Sequence, residues 1–168
     1  MNIYGYCRIS TAKQSIDRQI RNIKAEYPTA HIVQEAYTGT SIFRPEWRKL
    51  YRVLKSGDMV VFDSVSRMSR NAEEGFSLYE DLYHRGIRLV FLKEHHIDTE
   101  TYKKALSGSI AMTGTNVDFI LKGINEYLMA LAKEQIKLAF EQSEKEVADL
   151  HQRTREGLLT ARLNGKQV

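Results

Sequence analysis

Arg8-Ile9-Ser10 places a hydroxyl two residues after a guanidinium, and three more arginines lie where they could meet it. Arg44 precedes a proline, and Arg67 and Arg70 belong to Ser66-Arg67-Met68-Ser69-Arg70. The chemistry such a set offers is attack on a phosphodiester. The hydroxyl must lose its proton, the phosphoryl oxygens must be neutralised, and the leaving oxygen must be helped away. Arginine suits the second task, because its planar fork binds phosphate oxygens bidentately and stays charged. Arg8 and Ser10, two apart on a strand, point to one face. Arg67 and Arg70, three apart at an expected helix start, share a face there, although cations at that end oppose the helix dipole. Taken singly, Ser10 reads as a turn or cap serine and each arginine as a solvated side chain. The set carries the chemistry.

Four short apolar runs read as the strands that must position these residues: Ile3 to Cys7, His31 to Ala36, Met59 to Phe62 and Ile87 to Leu92. Helical patterns alternate with them, so the expected fold class is α/β, a mostly parallel central sheet flanked by helices. In such a sheet the strand ends meet along one edge, where ligands bind. The first helix has the capping pattern Thr11-Ala-Lys-Gln14 and apolar Ile16, Ile20 and Ile23. The second starts at Pro45, carries Trp47, Leu50, Tyr51 and Leu54, and stops at Gly57. The third is capped by Asn71, has Glu73 and Glu74 in its first turn, and ends at Gly86. Residues 93 to 115 read as a polar loop. From about Asn116 to about Thr160 a helical pattern runs without proline, either unbroken or as two helices parted near Gly123. Unbroken, it would be about 60 Å long, more than the diameter of the domain, so part of it must project or pack on another copy. The expected division is residues 1–115 as one domain and 116–168 as the long helix and the start of a linker.

Of the 168 residues, 42% are hydrophobic and 27% charged, ordinary for a globular protein. No apolar run approaches the ~20 residues that span a bilayer, and the N-terminus lacks a secretory pattern. A single cysteine, Cys7, fits a buried strand position and a reducing, cytoplasmic setting. The net charge of +4 hints mildly at a polyanionic partner. Its distribution says more: Arg153, Arg155, Arg162 and Lys166 make the C-terminal end cationic, an arrangement that tracks phosphates or simply complements a helix terminus. His95-His96 beside Asp98 matches no standard metal spacing, and no histidine is placed as a base for Ser10, which argues against a hydrolase triad. No metal and no cofactor are expected.

Tyr6-Cys7-Arg8-Ile9-Ser10-Thr11, with Gln19 downstream, resembles the N-terminal signature of the serine site-specific recombinases: resolvases, DNA invertases and large serine integrases. The likeness continues through Glu35-Ala-Tyr-Thr-Gly39-Thr-Ser41, Arg44-Pro45 and Gly57-Asp58. Ser66-Arg67-Met68-Ser69-Arg70 resembles the family's Asp-Arg-Leu-Ser-Arg element, and Glu144-Lys-Glu146 through Arg153-Thr-Arg155-Glu156-Gly157 resembles the end of its long helix. The resemblance covers residues 1 to about 100 and about 140 to 168. It implies a resolvase-like catalytic domain in which Ser10 is the nucleophile and forms a covalent phosphoserine link to a DNA 5′ end. Arg8, Arg67 and Arg70 would clamp the scissile phosphate with Arg44 assisting, and Gln19 and Glu35 would support the site. It further implies double-stranded DNA at a specific recombination site as partner, a homodimer that becomes a synaptic tetramer through the long helix, no cofactor, and a cytoplasmic protein of a mobile element. A DNA-binding region is expected beyond Val168, with weak site recognition without it. Three features depart from the pattern: Ser66 stands where the family has aspartate, Glu35 replaces aspartate, and the segment from Ser107 to Ile136 is longer than in small resolvases. The rival readings are a non-catalytic α/β regulatory or oligomerisation domain, favoured by Ser66, and a flavodoxin-like phosphate enzyme, disfavoured by the lack of a Gly-rich phosphate loop.

Overall fold

A computed structural model describes residues 1–9, 16–36, 44–107 and 111–165, except the side chains of 105–107, 147 and 148. Strands β1 (Ile3–Ile9), β2 (His31–Ala36), β3 (Met59–Phe62) and β4 (Arg88–Phe91) form one sheet in the order β2-β1-β3-β4, with every pairing parallel. The chain leaves β1 towards β2 on one side and returns to β3 on the other. The switch point of the sheet therefore lies between the carboxyl ends of β1 and β3, the crevice where open parallel sheets bind ligands. Register places Arg8 opposite Glu35 across β1 and β2, and Tyr6 opposite Phe62 across β1 and β3.

Alternation along the strands sorts the core into two layers. Cys7, Met59, Val61 and Val90 point to one face, covered by Ile23 of α1 (Asp17–Glu26). Tyr6, Val60, Phe62, Leu89 and Phe91 point to the other. That face is covered by α2 (Pro45–Val53), α4 (Ala72–His84), α5 (Thr99–Ser107) and the middle of α6 (Asp118–Leu163). Aromatic rings carry much of this second layer: Phe62 stacks on Phe91 at 5.3 Å, and Tyr6 meets Trp47 edge-on at 5.1 Å.

α2 and α4 start where their sequence signals place them, but α2 stops at Val53, before Gly57, because Leu54 is already extended at φ −60° and ψ 132°. Pro45 opens α2, Asn71 Oδ1 accepts the Glu74 amide at 2.9 Å to cap α4, and Gly86 follows α4 with φ of 77°. The Asp58 carboxylate closes the turn into β3 by accepting the Asn2 and Lys55 amides, which hold its pKa below the ordinary value.

Elsewhere the structure corrects the sequence reading. β1 runs on to Ile9, which carries Arg8 inside the strand. The capping pattern Thr11 to Gln14 lies outside the described residues, and α1 begins at Asp17 with no side-chain cap from Ile16. Residues 93 to 115 are not all loop: a 3-10 turn (His95–Ile97) and α5 occupy much of them. Thr99 Oγ1, which accepts the Leu89 amide at 2.9 Å, ties this segment to β4. The long helix is one unbroken α6 of 46 residues that passes through Gly123, about 69 Å at 1.5 Å per residue. Ile136, Ala139 and Phe140 bury it in the core. Phe140 packs so closely on α4 that a Cβ at Gly75 would lie 2.6 Å from its ring. Among the described residues, no helix is long and apolar enough to cross a membrane.

Candidate active site

The site is assembled at the switch point by the end of β1 and by segments that follow β1, β2 and β3. Arg8, near the end of β1, is 3% exposed. Its guanidinium donates from Nη2 to the Ser66 carbonyl at 2.5 Å and from Nε to the Arg67 carbonyl at 3.3 Å. Arg67 answers by donating from Nη1 to the Arg8 carbonyl at 3.1 Å. Gln19 of α1 pairs with the backbone of Arg8 in both directions: Nε2 donates to its carbonyl at 2.9 Å and Oε1 accepts its amide at 3.1 Å. Arg44, just before Pro45, donates to the Met68 carbonyl.

Arg67 and Arg70 do not share a helix face. Arg67 lies on a separate one-turn helix α3 (Val65–Met68), and Ser69 is extended at φ −153° and ψ 151°. Arg70 sits in the link to α4. The two converge because the chain turns between them. Ser69 Oγ stabilises that turn by accepting the Asn71 amide at 3.2 Å and donating to its carbonyl at 3.0 Å.

Packing guanidiniums together in a partly buried crevice is unfavourable without an anion. Burial, then Arg44 and Arg70, and also Arg67, lower the Arg8 pKa to about 10. Arg67 is lowered by burial, Arg70 and Arg18, with Asp63 opposing. Among the described residues, Arg67 Nε is buried with no hydrogen-bond partner. These are the properties of an anion site built in advance of its ligand.

Glu35 has a definite task. It is 2% exposed, and its Oε2 accepts the Trp47 amide at 2.8 Å and the Tyr6 hydroxyl at 3.3 Å, while Oε1 lies 3.4 Å from the Glu46 amide. The carboxylate therefore caps the N-terminus of α2, immediately beside Arg44. Ser66, in the position where an acidic residue would be expected, has its Oγ 2.7 Å from Ser64 Oγ. The nearby acid is Asp63, buried at the end of β3, which accepts Asn22 Nδ2 at 2.9 Å and pairs with Lys93 Nζ at 3.3 Å.

Ser10, the proposed nucleophile, lies outside the described residues, as do the Gly39-Thr40-Ser41 loop and Lys166. The described chain stops at Ile9, one residue before Ser10 and one after Arg8. Arg8, Gln19, Arg44, Arg67 and Arg70 are brought together. Arg153, Arg155 and Arg162 are exposed on the distal end of α6. His95 Nδ1 lies 2.7 Å from Asp98 Oδ2, and Asp98 Oδ1 accepts the Phe91 amide, so this pair fastens the 3-10 turn to β4. Cys7 is buried, and that burial pushes its thiol up to about 12, which leaves it inert at neutral pH. Sequence reasoning missed Arg18 and Asp63. Arg18 reaches Arg67 only as a charge brought from α1, and Asp63 is held by Asn22 and Lys93 from other elements, which spacing does not reveal.

Open parallel α/β domains bind their ligands at the switch point, and here that crevice holds a nest of arginines. The chain belongs to the resolvase family: residues 3–136 match the family described as "Resolvase, N terminal domain". It is 27% identical over 159 residues to the transposon Tn21 resolvase of Escherichia coli, covering 91% of this chain and 83% of that protein. A resolvase of Clostridium perfringens is 26% identical over 166 residues, covering 98% of this chain and 74% of that one. A solved resolvase-family site-specific recombinase from Streptococcus pneumoniae aligns over 96% of this chain and 98% of its own, with 21% identity and a TM-score of 0.47.

Proposed function

We propose that this protein is a site-specific DNA recombinase that cuts and rejoins strands through a covalent 5′-phosphoserine at Ser10. The observation that carries the proposal is the cluster of Arg8, Arg44, Arg67 and Arg70 at the carboxyl edge of β1, adjoining Ser10 in the chain. In the reaction, Ser10 Oγ attacks the phosphorus, a P–O bond forms, and the bond to the 3′ oxygen breaks. The proton lost by the serine is balanced by the one gained by the 3′ hydroxyl. The phosphoserine diester keeps the energy of the broken linkage, and attack by a 3′ hydroxyl restores DNA and free serine. Arg67 and Arg70 neutralise the phosphoryl oxygens, Arg44 assists, and Arg8 holds the Ser66–Arg67 segment in place. The exposed cations Arg153, Arg155 and Arg162, with Lys166, extend the contact along the DNA backbone. The tandem of catalytic domain (1–115) and long helix (116–168) suits a homodimer that pairs into a tetramer at synapsis.

The test is to incubate the protein with supercoiled DNA carrying a site selected from a random-fragment library, quench in denaturant, and quantify covalent adducts. Wild type accumulates adducts, and Arg67→Lys, which keeps the charge but loses the fork, forms them about 100-fold more slowly. Unchanged adduct formation by Arg67→Lys contradicts the clamp.

A further inference from the structure

We infer that Glu144, on the long helix, is a positioning residue for Arg70, so that the phosphate clamp is complete only while α6 lies against α4. This rests on the proposed phosphate clamp. Arg70 stands two residues before the start of α4, where a cation opposes the helix dipole. The Ala72 amide at that terminus donates to Glu144 Oε2 at 2.9 Å, across 72 residues of sequence. With Asn71 capping Glu74 and Ser69 bracing Asn71, the backbone on both sides of Arg70 is held by side chains, one of which α6 supplies. The close seat of Phe140 on Gly75 fixes α6 at this place, four residues before Glu144.

The same device serves the other arginines. Glu35 from β2 caps α2 beside Arg44, and Glu94, after β4, accepts the Val65 amide at 3.0 Å where the turn carrying Arg67 begins. Each clamp arginine thus sits beside a helix start offset by a glutamate from a distant element. Only Glu144 comes from the helix that extends beyond the domain. Were Glu144 an ordinary surface residue, its removal would be neutral or stabilising. The groove between α4 and α6 also holds Glu73, Glu80 and Glu141 against Lys137, so one carboxylate fewer relieves repulsion there.

The experiment follows the Arg70 guanidinium by NMR in the intact, 15N-arginine-labelled chain during titration with inorganic phosphate. Amide exchange at Ala72 is measured in parallel on uniformly labelled protein. Glu144→Ala is expected to weaken phosphate binding at Arg70 about five-fold and to speed Ala72 exchange about ten-fold. Glu144→Gln keeps an oxygen acceptor and is expected to stay within about two-fold of wild type. Glu141→Ala, which removes a charge from the same groove, leaves phosphate binding unchanged. Wild-type affinity in Glu144→Ala, an equal loss in Glu141→Ala, or a Glu144→Gln as weak as alanine each overturns the inference. A wild type in which phosphate leaves Arg70 unmoved overturns the clamp on which it rests, a result distinguishable from the other three.

Discussion

Arg8 combines two properties that are rarely found together, near-complete burial and a set of like-charged neighbours, and both follow from its place on β1. Strand alternation puts it on the α2 face beside Tyr6, and register sets Glu35 opposite it. Its guanidinium then reaches the carbonyls of Ser66 and Arg67, so the arginine two residues before Ser10 also fixes the loop that bears the clamp. The sequence showed which residues belong together, because period-two spacing and strand ends are local properties. It could not show that Arg8 binds backbone, or that Asp63 is held by Asn22 and Lys93, since both depend on contacts across the fold. Glu35 illustrates the same limit: its type suggests chemistry, whereas its contacts define a buried cap. Glu35→Ala strands the Tyr6 hydroxyl and the Trp47 amide, and is expected to lower stability by about 2–3 kcal/mol in urea unfolding. Unchanged stability combined with lost cleavage would assign Glu35 to the chemistry instead.

At the scale of elements, α2 and α4 were legible because a proline opens one, an asparagine cap and a glycine stop bracket the other, and each carries an apolar stripe. α3 and α5 were not. One helical turn has no period to detect, and among its described side chains α5 places Thr99 and Tyr102 in the core. The 3-10 turn before α5 carries a pH-dependent contact. His95 bonds Asp98 and faces Glu26 at 3.8 Å and Glu94, and the Asp98 bond raises its pKa above the ordinary 6.5. A base whose folded pKa is raised stabilises the fold fully below its unfolded pKa and loses that contribution as pH rises through the folded value. His95 is half exposed, so its contribution is small. His95→Ala is expected to cost under ~1 kcal/mol at pH 5.5 and less at pH 8.5, read by thermal melting. An equal cost at both pH values contradicts the assignment.

In the whole molecule, α6 joins a buried middle to two ends that leave the domain. Composition foretold its length, since no proline interrupts the pattern, and Gly123 did not break it. Toward its N-terminal end, Ile120, Ile124, Leu128 and Leu131 are exposed at helical spacing. Such a stripe is costly in water and fits a second copy of the chain. Wild type is expected to associate with rising concentration in sedimentation equilibrium, and Ile124→Glu with Leu128→Glu to remain monomeric without loss of fold. A wild type monomeric at high concentration contradicts this role. The central claim, that Ser10 takes the DNA, is tested most directly by locating the linkage. After cleavage and quenching, nuclease and trypsin digestion followed by mass spectrometry is expected to find a nucleotide phosphate on the peptide Ile9–Lys13, at Ser10, and none in Ser10→Ala. A nucleotide on any other residue, or adducts that persist in Ser10→Ala, would contradict the account.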